Sequence, residues 1–271
     1  MRLTVNGSIL LTELPLLERP AAVRAAGFDA IELWWPFASS TPDQADVDAL
    51  VQALADAGVQ LTGLNFNAGD MPGGDRGLVS WPERESDFLA NLDVVTQIGE
   101  RTGCRAFNAL YGNRQPDADP VAQDSLGARN LAAAAAAVAR IDGIVLVEPV
   151  SGMDAYPLKT AADTVAVIDR VASEHGATNL GLLLDVYHLA VNGDDVDAAI
   201  AAYRYRVAHV QIADAPGRDQ PGTGDLPIER WLGDLASGGY AGWVGLEYKP
   251  AMPASQTDPF AWVPRERRTA H

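Results

Sequence analysis

The chain has 271 residues, near the roughly 250 of a typical eight-fold barrel, and 48% hydrophobic content is enough to fill a sizeable core and excludes intrinsic disorder. Its 36 acidic against 20 basic residues give a formal charge of −16, which repels phosphate backbones and anionic lipid and excludes nucleic-acid and membrane partners. A single cysteine, Cys104, rules out an internal disulfide, and the apolar N-terminal run is broken at Glu13 with no small-residue cleavage pattern, so a cytoplasmic protein is expected.

In chain order, short Leu- or Val-rich runs alternate with Ala-rich segments of helical composition, the pattern of a parallel sheet with crossover helices. The predicted strands are Leu3–Asn6, Ala30–Trp34, Gln60–Asn65, Arg105–Leu110, Gly143–Glu148, Gly181–Asp185, Ala208–Ile212 and Trp243–Glu247. Most are apolar without alternation, as strands covered on both faces should be. Helices are predicted at Arg19–Ala26, Pro42–Ala57 and Glu83–Thr102, followed by Gly27, Gly58 and Gly103 where a left-handed residue ends a helix well. Asp124–Arg140, Thr160–Glu174, Val196–Ala202 and Ile228–Ser237 continue the series. Long loops at Ala68–Ser80 and Tyr111–Pro120 follow strands three and four, at the end where barrel enzymes keep their chemistry. No linker divides the chain. One (β/α)8-barrel domain, a TIM barrel, is therefore expected over 1–271, with about 251–271 forming a closing helix and loose tail.

The informative polar residues end apolar runs: IVLVE at Glu148, LLLD at Asp185, HVQ at Gln211 and VGLE at Glu247. A carboxylate ending a buried strand is costly to desolvate unless paired or bound to a cation. Any one of the four would read as a cap or a rim ion pair. Four on successive strands, each about one βα unit apart, converge on the barrel axis. Three carboxylates and an amide make a hard, all-oxygen set that suits Mg2+ or Mn2+ better than zinc, and a divalent ion removes their mutual repulsion.

The blocks LERPAAVRAAGFDAIELWWPF, LNFNAGDMPGGDRG, LVEPV, LLLDVYHLAVNGD, HVQIADAPGRDQPGTGD and GYAGWVGLEYKP resemble the hydroxypyruvate isomerase family of the xylose-isomerase-like barrels, over nearly all of the chain up to about Pro250. The resemblance implies a metal held by Glu148, Asp185, Gln211 and Glu247, with Glu148 and Glu247 as proton donor and acceptor. It implies interconversion of hydroxypyruvate and 2-hydroxy-3-oxopropanoate (tartronate semialdehyde), or isomerisation of a related acid such as a 2-oxo-tetronate. One block, SGMDAYPLKT after strand five, departs from the family pattern. Chemistry gives the same outline: an aldose–ketose shift moves a carbon-bound proton to its neighbour through an enediolate, which requires a base and stabilisation of an oxyanion.

Further candidates are open to two readings each. His188 either hydrogen-bonds a substrate oxygen or is structural. Arg218 either clamps a substrate carboxylate or pairs at the surface with Asp219 or Asp225. Arg76 and Lys249 are the other cations available to bind a small hydroxy-oxo acid. Trp34 and Trp35 either wall the pocket or belong to the core, and Glu32 is either a pocket wall or a rim ion pair. The PGTGD loop makes tight turns and is assigned no nucleotide. A homo-oligomer is left open. Competing functions are a keto-sugar epimerase, which would offer His in place of Gln211; an abasic-site endonuclease, which would show more His and a basic groove; and a non-enzymatic sugar-acid binding protein.

Overall fold

The Leu- and Val-rich runs become parallel strands because neither of their faces meets water. In the computed structural model, which describes residues 1–249 and 258–269, they are β1 (Arg2–Asn6), β2 (Ala30–Leu33), β3 (Gln60–Asn65), β4 (Ala106–Asn108), β5 (Ile144–Val147), β6 (Leu180–Asp185), β7 (Val207–Ile212) and β8 (Trp243–Leu246). They pair in sequence order and close through β1 and β8 into a barrel. All eight fall on predicted runs. The widest difference is β4, which pairs over only its central residues.

Around the strands run α1 (Gly7–Leu10), α2 (Arg19–Ala25), α3 (Gln44–Ala57), α4 (Glu85–Thr102), α5 (Pro120–Ala139), α6 (Ala161–His175), α7 (Val186–Asn192), α8 (Val196–Tyr203) and α9 (Ile228–Ser237). Helix ends follow local chemistry. Gly58 and Gly103 adopt φ of 61° and 79° and close α3 and α4. Thr160 and Asp163 cap each other reciprocally at the start of α6. Helix α5 begins earlier than the predicted Asp124, because Asp119 accepts the N–H groups of Val121 and Ala122 and Pro120 occupies the first turn. Helix α7 was not expected. It starts directly on the last residue of β6, with no loop between strand and helix, because the Asp185 side chain caps it.

The closing helix and loose tail are expected over about 251–271, a span only partly within the described residues. Residues 251–257 and 270–271 lie outside the described residues. Over 258–269 there is one 3-10 turn, Arg265–Arg267. Phe260 stacks edge-on against Phe28 at 4.9 Å. Arg268 is buried and donates to the carbonyls of Phe260, Val263 and Ala26 at 2.6, 2.9 and 2.7 Å. A guanidinium that replaces its water with three carbonyls fixes this segment against the residues that precede β2. Among the described residues no helix is long and apolar enough to cross a membrane.

Candidate metal and proton-transfer site

A polar residue stands at or next to the C-terminal end of every strand. The series runs Asn6, Glu32, Asn65, Asn108, Glu148, Asp185, Gln211 and Glu247, all buried. The register places Asn6 beside Glu32, Asn65 beside Asn108 and Asp185 beside Gln211. The four expected ligands therefore share one ring with four further polar groups. Asn6, Asn65 and Asn108 were not singled out from the sequence, although they too end apolar runs.

Most of these groups hold an expected ligand by one atom. Asn108 Nδ2 donates to Glu148 Oε2 at 2.6 Å, and the Tyr156 hydroxyl donates to the Glu148 carbonyl at 3.0 Å while accepting the Tyr111 N–H. Asp185 Oδ1 accepts the N–H groups of Tyr187 and His188, leaving Oδ2 toward His188 Nε2 and Arg218 Nη2. Asn6 Nδ2 donates to Glu247 Oε2 at 2.8 Å and to Glu32 Oε1 at 3.0 Å. Gln211 Nε2 donates to Glu32 Oε1 at 2.8 Å. Its Oε1 is buried with no hydrogen-bond partner.

That orphaned amide oxygen tests whether the site fits a divalent cation. A buried carbonyl oxygen without a donor carries a desolvation cost that a cation would remove. The register sets Gln211 beside Asp185, and with Glu148 and Glu247 at the ends of neighbouring strands the donors are hard oxygens, matched to Mg2+ or Mn2+. The chemistry of the donor set fits. Ligand atoms of Glu148, Asp185 and His188 lie within 4.8 Å of one another, a compact group that does not include Glu247, whose two oxygens accept from Arg218 and Asn6. His188 is nevertheless a hydrogen-bond donor at this site. Its Nδ1 accepts the Ser151 N–H at 3.1 Å and lies 2.7 Å from Ser151 Oγ, and a backbone N–H can only donate. The neutral ring then carries its proton on Nε2, which faces Glu148 Oε1 at 3.8 Å and Asp185 Oδ2 at 3.7 Å. Ser151 and Tyr156 both come from the block that departs from the family pattern.

The remaining candidates divide. Arg218 does not pair with Asp219 or Asp225: its Nη2 meets Glu247 Oε1 at 2.6 Å and lies 4.0 Å from Asp185 Oδ2. It sits at φ 60° in a turn, a conformation few side chains adopt. The loop that carries it is tied down by Asp214, which is buried and accepts the N–H groups of Ala215, Gly222 and Leu226, and the Arg218 carbonyl accepts the Lys249 N–H. Arg76 lines the same cavity, and its Nη1 donates to the carbonyls of Met71 and Asp75. Lys249 is exposed and is not brought to the cavity, because the chain has already left the barrel rim. Its contribution is the main-chain bond to Arg218. Trp34 and Trp35 are half-buried and wall the cavity, whose volume is about 750 Å3 and whose floor includes Glu148 and Glu247.

Electrostatics set the protonation states. Burial, then the charge of Asp185, pushes the Glu148 carboxyl up to about 8. Burial raises Asp185 to about 6 against the pull of Arg218. Glu247 is raised well above the usual carboxylate range by burial, opposed by Arg218 and reinforced by Glu148. His188 is held well below its ordinary value by burial and by the charges of Arg218 and Arg76, so it is neutral. Burial works against the Arg218 guanidinium, but the attraction of Glu247, Asp185 and Glu148 outweighs it and raises its pKa.

Comparison with known proteins gives the arrangement a lineage. A family model, xylose isomerase-like TIM barrel, matches residues 20–264. The chain is 53% identical, over 99% of its length and 98% of the relative's, to a Streptomyces coelicolor protein provisionally named a hydroxypyruvate isomerase. It is 31% identical to the 2-oxo-tetronate isomerase of Cupriavidus necator, over 94% and 95% of the two chains. Among solved structures, one described as an AP endonuclease, family 2, from Brucella melitensis superposes with a TM-score of 0.84 at 29% identity, covering 96% of this chain and 97% of the other. The resemblance read from the sequence blocks is borne out, as is the barrel.

Proposed function

The chain belongs to the xylose isomerase-like TIM barrel family and is an isomerase, and from that premise we propose that it interconverts hydroxypyruvate and 2-hydroxy-3-oxopropanoate. Glu148, Asp185, Gln211 and Glu247 would hold a divalent cation, Mg2+ or Mn2+. The observation that carries this reading is Gln211 Oε1, buried without a partner in a ring that also holds Glu148, Asp185 and Glu247. When bound, the cation would supply Lewis-acid polarisation of the substrate carbonyl and a positive charge that offsets the repulsion among the three carboxyls.

Glu148 and Glu247 are the proton-transferring pair. One, ionised, removes the carbon-bound proton beside the carbonyl; the other, protonated, delivers a proton to the former carbonyl carbon, while the substrate's own hydroxyl proton passes to the former carbonyl oxygen, so the two glutamates end with their protonation exchanged. In the cation-free chain burial raises both carboxyls above the usual range, so one of the pair can hold a proton near neutral pH while the other is ionised. His188, locked with its proton on Nε2 by Ser151, donates to a substrate oxygen and stabilises the charge that develops there. Arg218, already engaging Glu247 through Nη2 and Nε, presents Nη1 to the substrate carboxylate, with Arg76 lining the same cavity.

A second reading, isomerisation of a four-carbon 2-oxo-tetronate, uses the same groups and is favoured by the cavity of about 750 Å3, which is large for a three-carbon acid. The test is proton–deuterium exchange in D2O followed by NMR, with hydroxypyruvate, a 2-oxo-tetronate and a neutral ketose supplied separately. Exchange into hydroxypyruvate that stops after exhaustive chelation and returns with Mg2+ or Mn2+ is the expected result. Exchange that survives chelation overturns the cation. Exchange confined to the neutral ketose overturns the acid substrate.

A further inference from the structure

Glu32 is a buried carboxylate that the proton-transfer scheme leaves unused. It projects from β2 into the ring and is 3% exposed. Three donors converge on it: Asn6 and Gln211 on Oε1 at 3.0 and 2.8 Å, and the His209 ring, whose Nε2 lies 2.7 Å from Oε2. The barrel makes room for it with glycines. A Cβ on Gly245 would lie 2.5 Å from Glu32 Oε1, and one on Gly63 would lie 3.2 Å from Glu32 Cβ.

The consequence lies in the orientation of Gln211. An amide offers NH2 on one side and a carbonyl oxygen on the other, and the two ends are nearly the same shape. A carboxylate oxygen that already receives other donors accepts only N–H at 2.8 Å, and a reversed amide would set oxygen against oxygen. Glu32 therefore holds the Gln211 NH2 toward itself, which turns Oε1 to the side away from Glu32, buried and unpartnered. The reversed amide would present N–H2 to the cation, which repels it.

We propose that Glu32 is a positioning residue that makes Gln211 a cation ligand by fixing which end of its amide faces the site. The proposal rests on the metal reading given above. It assigns Glu32 no contact with substrate. It also explains a neutral amide among three acids: supported from below by a carboxylate, Gln211 brings an oxygen without a fourth negative charge.

Titration calorimetry with Mn2+ on chelator-stripped protein tests it, using the full chain as wild type, Glu32→Gln, Gln211→Leu and the double variant. Glu32→Gln can donate its own amide to Gln211 Oε1 and so permits the reversed orientation; Mn2+ affinity is expected to fall roughly 10- to 100-fold. Gln211→Leu should fall similarly, and the double variant no further than Gln211→Leu alone, because the two act through one bond. Losses that multiply in the double variant, or unchanged affinity in Glu32→Gln, overturn the proposal while leaving the metal reading in place. Absence of Mn2+ binding by the wild type overturns the metal reading itself, and the proposal with it. If Glu32→Gln does not fold, Glu32→Asp provides the same comparison: it keeps the charge, withdraws it by one methylene and is expected to weaken Mn2+ binding, and unchanged affinity counts against the proposal.

Discussion

Replacing Glu148 by Gln should make the metal-free protein more stable while ending its turnover. The Glu148 carboxyl is buried, and its pKa stands at about 8 against an ordinary 4.5. An acid whose folded pKa is raised binds more protons folded than unfolded, so its contribution to stability is present below the unfolded value and is lost as pH rises through the folded value. Between those limits the loss is on the order of 1 kcal/mol per pH unit, and the accumulated cost near pH 7 is about 3 kcal/mol. Glutamine keeps a carbonyl oxygen for the Asn108 amide, 2.6 Å from Glu148 Oε2, and does not titrate. The gain in the variant should therefore widen with pH. Urea unfolding of both proteins in chelator, at about pH 5.5 and about pH 7.5, measures it, with a widening of roughly 2 kcal/mol expected across that interval. An equal difference at the two pH values would refute the argument that burial of this carboxyl governs its protonation.

Three further expectations follow from named contacts. Arg218→Ala should raise KM for hydroxypyruvate roughly 10- to 100-fold, the worth of a charge-assisted bond, and should raise it far less for an uncharged hydroxyaldehyde; equal effects would remove Arg218 from carboxylate recognition. Tyr156→Phe leaves the buried Tyr111 N–H and the Glu148 carbonyl without their partner and should cost about 1–3 kcal/mol, so an unchanged urea midpoint would contradict it. Gly245→Ala pushes a methyl toward Glu32 Oε1 and should destabilise by about 1–3 kcal/mol; thermal unfolding at the wild-type temperature would count against that crowding.

The strands were legible because a strand covered on both faces has a nearly unbroken apolar run, and IVLVE, LLLD and VGLE have little else. The same simplicity made Glu148, Asp185, Gln211 and Glu247 stand out, since each interrupts such a run at its end. Asn6 and Asn108 carry no charge and are cheap to bury, so in sequence they pass for turn residues. Their role appears only when β1 is laid beside β8 and β4 beside β5. Helix α7 was missed because its capping residue is also the end of a strand. Arg218 and Lys249 could not be separated in sequence, since both follow strand ends. The turn fixed by Asp214 directs one guanidinium inward, and the emerging chain leaves the ammonium in water.

The ring of eight strand ends is unequal in a way that bears on how such a barrel can diversify. Its second half, β5 to β8, supplies Glu148, Asp185, Gln211 and Glu247. Its first half supplies Asn6, Glu32 and Asn108, which grip three of those four from the side. The four proposed ligands and these three side chains that hydrogen-bond to them are thus encoded in separate stretches of chain. Substitution in the early strands can re-aim the acids while the acids themselves stay in place, so new specificities are open to this scaffold without first dismantling the old chemistry.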